Sequence, residues 1–430
     1  MTAALNTQVC VVGGGPAGLA LALELARYSR EVVVVEQSGH FNRSFRGESI
    51  SPDSVWMLEK LGILDQVRDS TLRTERMVIT DGGKDVLSAD FADFDEPSRY
   101  PMELPQPVLL EALAAEAAHH PGFALLRRTT ATGLIHDGDR VAGVSCTGPD
   151  GPLEIRAKLV VAADGRFSKI REMAGMRYDK IPLERDFVWF KVPIPESWDG
   201  HTLRVRILGD RHGLFIPTVP DLIRIGFNIP KGGLRELRKE GIGALHERID
   251  ELAPELSQGV REHVKGWSDT SMLDIFTAVV PEWSVPGLVL IGDAAHTLTP
   301  VLGQGVNQAM VDAITLAPLV SRALLAADPY RALDEAGRTF QAAREEAVST
   351  ARRLQMRQER AFALSHPLAV ALRRAVYRVV SVSPGLKRSI VGGVYYQLQD
   401  QVRRSGKPLE LAPATRPAAP APAPVTDNAR

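Results

Sequence analysis

Apolar residues fall along the chain in two rhythms. Short unbroken runs, Val9-Cys10-Val11-Val12, Val32-Val33-Val34-Val35, Leu159-Val160-Val161-Ala162-Ala163 and Leu288-Val289-Leu290-Ile291, have the length and composition of strands buried on both faces. Turn signals follow at Gly13-Gly14-Gly15, Asp164-Gly165 and Gly292-Asp293, while Val35 leads directly to Glu36. Helices are predicted behind the first and last runs, over Leu19 to Arg27 and Gly305 to Leu325. Ser51-Pro52 reads as an N-cap with proline at the first helical position, opening a helix from Asp53 to Leu61 that stops at Gly62. Asp81-Gly82-Gly83 suggests a hairpin within Met77 to Phe94. Pro107 opens a helix from Val108 to His119, with Leu109, Leu110, Leu113 and Ala117 on one face.

Strands and hairpins are expected from Phe123 to Val161, turning at Asp137-Gly138-Asp139 and Gly148-Pro149-Asp150-Gly151. Residues 181 to 275 alternate apolar and polar positions, the pattern of an antiparallel sheet, with one helix near Ile242 to Ala253. Thr339 to Leu364 and Pro367 to Val382 read as helices, and nine arginines face three acids between Arg338 and Arg378. Such a run is usually a solvated face, with docking to a membrane surface or partner as the alternative. Leu354, Phe362, Leu368, Leu372, Val376 and Val379 are expected to turn inward and cover a junction between domains. Pro413 to Pro424 is a proline and alanine tract, so residues 405 to 430 are expected to be disordered.

Length then sets the number of cores. The chain has 430 residues, and single cores stop growing near ~250–300 residues, which argues for more than one domain. Fifty-one basic against 52 acidic residues leave a net charge of −1, so no global field recruits nucleic acid. The N-terminus has no signal-peptide pattern, and no apolar stretch reaches the ~20 residues that span a bilayer, so no transmembrane segment and a cytoplasmic location are expected. Cys10 and Cys146 both lie in expected strands and read as core thiols, offering neither a disulfide frame nor a metal site.

Chemistry enters at the first turn. In Gly13-x-Gly15-Pro16-Ala17-Gly18, Gly13 serves a tight turn, Gly15 lets backbone approach a pyrophosphate and Gly18 lets helix pack on strand. The helix N-terminus would face the phosphates. Glu36 lies at the end of the second strand, roughly 20 residues on, where a carboxylate can accept hydrogen bonds from a ribose diol. This fingerprint alone leaves NAD and FAD open.

Asp164-Gly165-Arg166-Phe167-Ser168-Lys169-Ile170-Arg171 and Gly292-Asp293-Ala294-Ala295-His296, running on through Thr299-Pro300 to Gly303-Gln304-Gly305-Val306-Asn307, bear on that choice. Together with the glycine turn they resemble the class A flavoprotein monooxygenases, the para-hydroxybenzoate hydroxylase-like family that includes ubiquinone-pathway hydroxylases. The resemblance spans roughly residues 8 to 325. It implies an α/β fold with a Rossmann-like FAD-binding domain built from 8–75, 101–180 and 276–330. A mainly antiparallel substrate domain would come from 76–100 and 181–275, with C-terminal helices over 331–404. Asp293 resembles the acid that holds the ribityl chain. Pro300, Gly303, Gln304, Gly305, Val306 and Asn307 resemble the segment along the isoalloxazine edge. Asp164 and Gly165 resemble the motif near the pyrophosphate, Gln106 and Arg46 occupy flavin-chain and phosphate positions, and Ala131 would contact adenine. His296 is read as structural.

The resemblance further implies NADPH or NADH as a transient reductant, O2 as co-substrate, and hydroxylation or epoxidation of an aromatic or polycyclic small molecule through a flavin C4a-hydroperoxide. A monomer or homodimer is expected. Trp189, Phe215 and Pro217 are the substrate-wall candidates, with Phe187, Phe190 and Ile216 beside them. No catalytic base is identifiable, although Tyr100, His201 and His212 are possible. Three alternatives stay open: a flavin-dependent halogenase, suggested by Arg46-Gly47-Glu48-Ser49 but lacking the W-x-W-x-I-P signature; a reductase or dehydrogenase without oxygen insertion; and a nucleotide-binding protein without turnover.

Overall fold

The computed structural model describes residues 3–42 and 47–413. Ala3–Val12 lies inside an eight-stranded sheet, parallel to Gly151–Ala162 on one side and Val32–Glu36 on the other. Phe123–Arg127 and Leu288–Leu290 extend the parallel ladder outward. Three distant stretches of chain therefore share one sheet. Val32 to Val35 are all buried, as continuous valines require. The first strand starts at Ala3 rather than Val9, because Ala3 to Thr7 pair with Leu153 to Ala157. Helices Pro16–Arg27, Gln106–Ala117 and Gln304–Ala323 pack together against this sheet. Cys10 and Cys146 are buried free thiols, pushed up by burial.

A second, seven-stranded sheet takes Arg76–Asp81 and Lys84–Asp90 together with five strands between Arg185 and Leu273. Its even positions on Arg185–Pro193, Val188, Phe190 and Val192, join Phe215, Ile225 and Phe227 in a core under the helices Leu234–Lys239, Gly243–Leu252 and Ser257–His263. One helix was expected there. The two flanking ones, of 6 and 7 residues, are too short to show a helical period in the sequence. The opposite face, with Phe187, Trp189 and Ile216, turns toward the first sheet.

The helix Pro329–Phe362 starts ahead of the expected Thr339, with proline in its first turn and Asp328 capping the Arg331 N–H at 3.1 Å. Its early turns bury Leu333 and Phe340 against the first core, and its last residue, Phe362, sits in a cluster on the second sheet. It is the strut between the two. Pro367–Val382 then lies along Lys84–Asp90, where Ser381 Oγ accepts the Ser88 N–H at 3.0 Å. The expectation that both helices turn their apolar sides inward holds only in part. Leu354 and Phe362 face the interior, but Leu368, Leu372 and Val379 are exposed, because Arg373, bonded to the buried Asp81 at 2.7 Å, sets the inner side of the second helix.

The tail also differs from expectation. Residues 405–413 belong to the described structure: Ser405 ends a helix, Leu409 and Leu411 pack on the first core, and Ala412 is buried with its N–H on Glu24 Oε2 at 2.9 Å. The proline-rich stretch proper, 414–430, lies outside the described residues. Burial raises the Glu24 carboxyl above its usual range, while the Ala412 amide and Arg27 hold it down. A chain ending at Lys407 is expected to lose about 1–3 kcal/mol relative to one ending at Pro413, since the Glu24 carboxylate loses a buried donor. Thermal unfolding checks this; identical midpoints would show that the segment carries no stability.

Candidate active site

A cavity of about 1000 Å³ lies between the two sheets. One end is made of strand ends from the parallel sheet. Gly13, at φ +112°, brings backbone so close that a Cβ there would sit 2.3 Å from the Ala163 carbonyl oxygen. A Cβ on Gly18 would meet the Gly13 oxygen at 2.0 Å, whereas one on Gly15 would meet nothing within 4 Å. Gly13 and Gly18 thus close the turn, and Gly15 opens it to the cavity. The helix begun by Pro16 and Ala17 has no side-chain cap, so its amide donors face that space. Glu36 lines it too, with its carboxylate accepting the N–H groups of Gly14 at 2.9 Å and Ser38 at 2.8 Å.

Asp164 and Gly165 border the same end. The Asp164 carboxylate turns into its own loop, accepting from Ser168 Oγ at 2.5 Å and Ile170 N–H at 3.1 Å. Burial raises its pKa, partly countered by these bonds. Asp293 lines the wall, with Arg166 Nη2 3.5 Å away. Gln106 and Ala131 are wall residues, and Gln106 is the first residue of its helix rather than just ahead of it. Arg46 lies outside the described residues.

Pro300 to Asn307 forms the boundary between the two ends of the cavity. Leu302 and Gly303 are both left-handed, at φ +66° and +60°, a conformation that costs a leucine roughly 1–2 kcal/mol. Neighbours hold it: Asn307 Nδ2 donates to the Gly303 carbonyl at 2.7 Å, and Asn307 Oδ1 accepts the Ser51 N–H at 2.9 Å. Gln355, from the long helix, donates to the carbonyls of Thr299 and Val301 at 3.0 and 2.8 Å and accepts the Thr299 N–H at 3.1 Å. Pro300, Gly303, Gly305, Val306 and Asn307 line the cavity, and the helix starting there is again uncapped by any side chain. Gln304 does not line it; its amide folds back on the Leu302 carbonyl at 3.1 Å. His296, read as structural, is buried and does not line the cavity. Its Nε2 lies 2.6 Å from Asp312 Oδ2, the same oxygen accepts the Gly292 N–H at 2.8 Å, and Arg344 Nε reaches Oδ1 at 2.8 Å. Burial would raise Asp312, but His296 and Arg344 outweigh it and hold the carboxyl low.

The far end of the cavity is mostly apolar, with Leu203, Val205, Leu214, Ile216, Phe362 and Trp189 in its walls. The indole of Trp189 lies against Gly226, where a Cβ would be 2.5 Å from the ring. Phe215 and Pro217, expected beside it, do not line the cavity. They alternate with Leu214 and Ile216 along Arg211–Thr218, and Phe215 packs under the helices. Phe187 is buried beneath Trp189, stacked at 5.8 Å, and Phe190 belongs to the helix-covered core. Of the possible bases, Tyr100 and His201 lie elsewhere; His201 Nδ1 is 2.9 Å from the Arg73 carbonyl. His212 is in the wall, fully buried between Phe187 and Phe362, and neither ring nitrogen has a partner among the described residues. Burial, then the charges of Arg185 and Arg373, push it down to about 3, so it is neutral.

Sequence reading missed a polar island beside Gly303. Arg224 donates to Ser49 Oγ at 2.9 Å and Glu103 Oε2 at 3.0 Å, while Lys191 holds Glu48 at 2.9 and 3.0 Å. Ser49, Glu103 and Arg224 line the cavity. Only strand parity could have placed Arg224, and nothing local marks Glu103. Burial pushes Glu103 up to about 7, against the pull of Arg224 and Ser49.

Known proteins resemble this chain in sequence and in fold. A model of the family "FAD binding domain" matches residues 6–351. The chain is 34% identical to the 6-methylpretetramide 4-monooxygenase of Streptomyces rimosus, over 95% of this chain and 97% of that protein. It is 28% identical to the 3-demethoxyubiquinol 3-hydroxylase of Escherichia coli, over 70% and 76%. Among solved structures, p-nitrophenol 4-monooxygenase PnpA from Pseudomonas putida DLL-E4 superposes with a TM-score of 0.76 at 22% identity, over 92% of this chain and 99% of that one. The flavin-dependent brominase Bmp2 has the same fold, with a TM-score of 0.73 at 16% identity over 93% and 98%.

Glu103 makes stability depend on pH. A carboxyl pushed up to about 7 in the folded state, from 4.5 when free, keeps its proton longer in the folded state. Its contribution to stability therefore falls as pH rises between those values, by on the order of 2–3 kcal/mol. The unfolding free energy of the natural protein minus that of Glu103→Gln is expected to decline from about pH 5 to 7 and level off above. A flat difference across that window would contradict the assignment.

Proposed function

Because this chain belongs to the FAD binding domain family and is an FAD-dependent monooxygenase, we propose that it hydroxylates a polycyclic aromatic molecule of the pretetramide kind, using NADPH or NADH and O2 in the cytoplasm. One observation carries the reading: the glycine cradle and the apolar compartment are a single cavity, joined at the Leu302-Gly303 turn. The compartment runs from Ile216 to His212, four residues along one strand, or about 13 Å. Such length suits fused rings better than a single phenol. One relative, matched over 95% of this chain, is named for the polycyclic substrate 6-methylpretetramide.

Bound FAD would supply the redox chemistry, taking a hydride from the nicotinamide and passing electrons to O2. The chain's own residues do the rest. Glu36 would accept from the adenosine ribose, Asp293 from the ribityl hydroxyls, and the uncapped helix at Pro16 would face the pyrophosphate. Amides from Gly303 to Asn307 and the second uncapped helix would lie along the flavin and favour negative charge there. Trp189, Ile216, Leu203 and Leu214 exclude water from the reacting carbon. Arg224, held by Glu103 and Ser49, orients a phenolic oxygen at the boundary turn, and neutral His212 offers one donor and one acceptor at the far end. The nicotinamide cofactor docks transiently, since the chain carries one dinucleotide fingerprint.

Two measurements test this. With a tetracyclic phenol, one atom from labelled O2 is expected in the product per NAD(P)H oxidised, and bromide or chloride is not expected to be incorporated. Reductant oxidation without labelled product, or a halogenated product, would overturn the reading. Asp293→Ala removes a hydrogen bond to a charged group, on the order of 1.5–3 kcal/mol, so FAD should bind roughly tenfold to a hundredfold more weakly. Flavin fluorescence titration reads this directly; unchanged affinity would move the ribityl contact elsewhere.

A further inference from the structure

The helix Pro367–Val382 carries an apolar face turned to solvent. Leu368, Leu372, Val379 and Val382 are 76%, 66%, 54% and 81% exposed. Their spacing, with Ala371, Ala375 and Val376 between them, puts all of them on one side of the helix. Leu386 and Ile390, also exposed, prolong the strip beyond the helix end. The other side is fully used: Val370 and Val380 are buried, Arg373 is bonded to Asp81, and Ser381 to the edge of the second sheet. The helix is thus anchored by its inner side, and the outer side has no role in holding it. Contiguous apolar strips of this size on a folded surface mark interaction sites.

Two observations say what covers it. From Arg360 to Gln399 the chain contains no aspartate or glutamate and six lysines and arginines; Arg373 and Arg374 pair with Asp81, Lys387 with Asp93 and Arg388 with Glu96 and Asp400, which leaves Arg360 and Arg378 to carry the charge of the segment outward. Arg378 is exposed at the flank of the strip, and Arg374 beside it is about a third exposed although paired with Asp81. A second copy meeting this face across a two-fold axis would bring two acid-free segments together, like charge against like. An anionic surface supplies the opposite sign. The strip also adjoins the cavity: Val376 and Ile390, 48% and 46% exposed, line its wall as well. Among the described residues no helix is long and apolar enough to cross a membrane, so contact would be interfacial.

We propose that this strip docks on an anionic lipid surface, the apolar residues entering the acyl boundary, Arg374 and Arg378 lying among the headgroups, and the Val376–Ile390 rim of the cavity facing the lipid. Amphipathic helices with this division bind through buried apolar area plus attraction to anionic headgroups. An apolar multi-ring molecule could then pass between lipid and cavity without crossing water. That route rests on the proposed function, whereas the docking does not.

The test is co-sedimentation of the flavin-loaded full chain with vesicles of phosphatidylcholine containing phosphatidylglycerol, and with phosphatidylcholine alone. The natural protein is expected to sediment with the anionic vesicles, less so at high salt, and weakly with the neutral ones. Leu372→Asp with Val379→Asp should weaken binding by about tenfold or more, and Arg378→Glu should weaken only the anionic component. Flavin content and the unfolding midpoint of each variant confirm that it is folded, and the single Arg378→Glu change keeps the test open if the double variant is not. No binding to either vesicle, or binding that ignores these changes, overturns the proposal. So does a concentration-dependent dimer that Val379→Asp dissociates while vesicles bind nothing, which would assign the strip to a second copy.

Discussion

Gly13, Gly18 and Ala163 meet with no room for a side-chain carbon between them, and the cavity depends on that contact. With Gly13 Cα against the Ala163 carbonyl and Gly18 against the Gly13 carbonyl, the first strand, its helix and Gly151–Ala162 are locked at one point. Any side chain there would collide with backbone, which cannot yield as a rotamer can. The strand ends consequently share one level, so Glu36, Asp164 and Asp293 border one space. A helix N-terminus with free amides is aimed into it.

The second constraint works from the other end of the sequence. Residues of one long helix hold the two turns that shape the cavity. Arg344 fixes Asp312, which holds Gly292 and His296, while Gln355 clamps Thr299 and Val301 ahead of the left-handed pair Leu302-Gly303. These groups are buried, so each bond is made in a low dielectric and leaving one unmade is costly. The strained turn persists because its surroundings over-determine it. Under the proposed function, a boundary segment held in this way would keep a flavin ring and a substrate in register, which is the condition for directed oxygen transfer.

The features legible in the sequence were those that local chemistry forces. Valine runs, turn glycines and the proline at a helix start each announced themselves, and the three strand-to-turn signatures led to the family. What was illegible depended on partners far apart in the chain. Nothing near Gln355, Asp312 or Glu103 reveals what it touches. Phe215 and Pro217 were misplaced because an aromatic strand looks alike from both faces until its parity is known. The apolar side of Pro367–Val382 was read as inward because apolar periodicity gives a helix a face without saying which way that face points. The stretch from Leu409 to Ala412 was read as tail, since four residues packed on a distant helix have no period of their own.

The central claim is that flavin and an extended aromatic substrate share one cavity across the Leu302-Gly303 boundary. Titrating the oxidised, flavin-loaded protein with a tetracyclic phenol, without reductant, tests it most directly. The account predicts a saturable shift of the visible flavin absorption at the concentrations where equilibrium dialysis shows binding. A ligand that binds by dialysis yet leaves the flavin spectrum unchanged would contradict it, because the two molecules would then occupy separate sites.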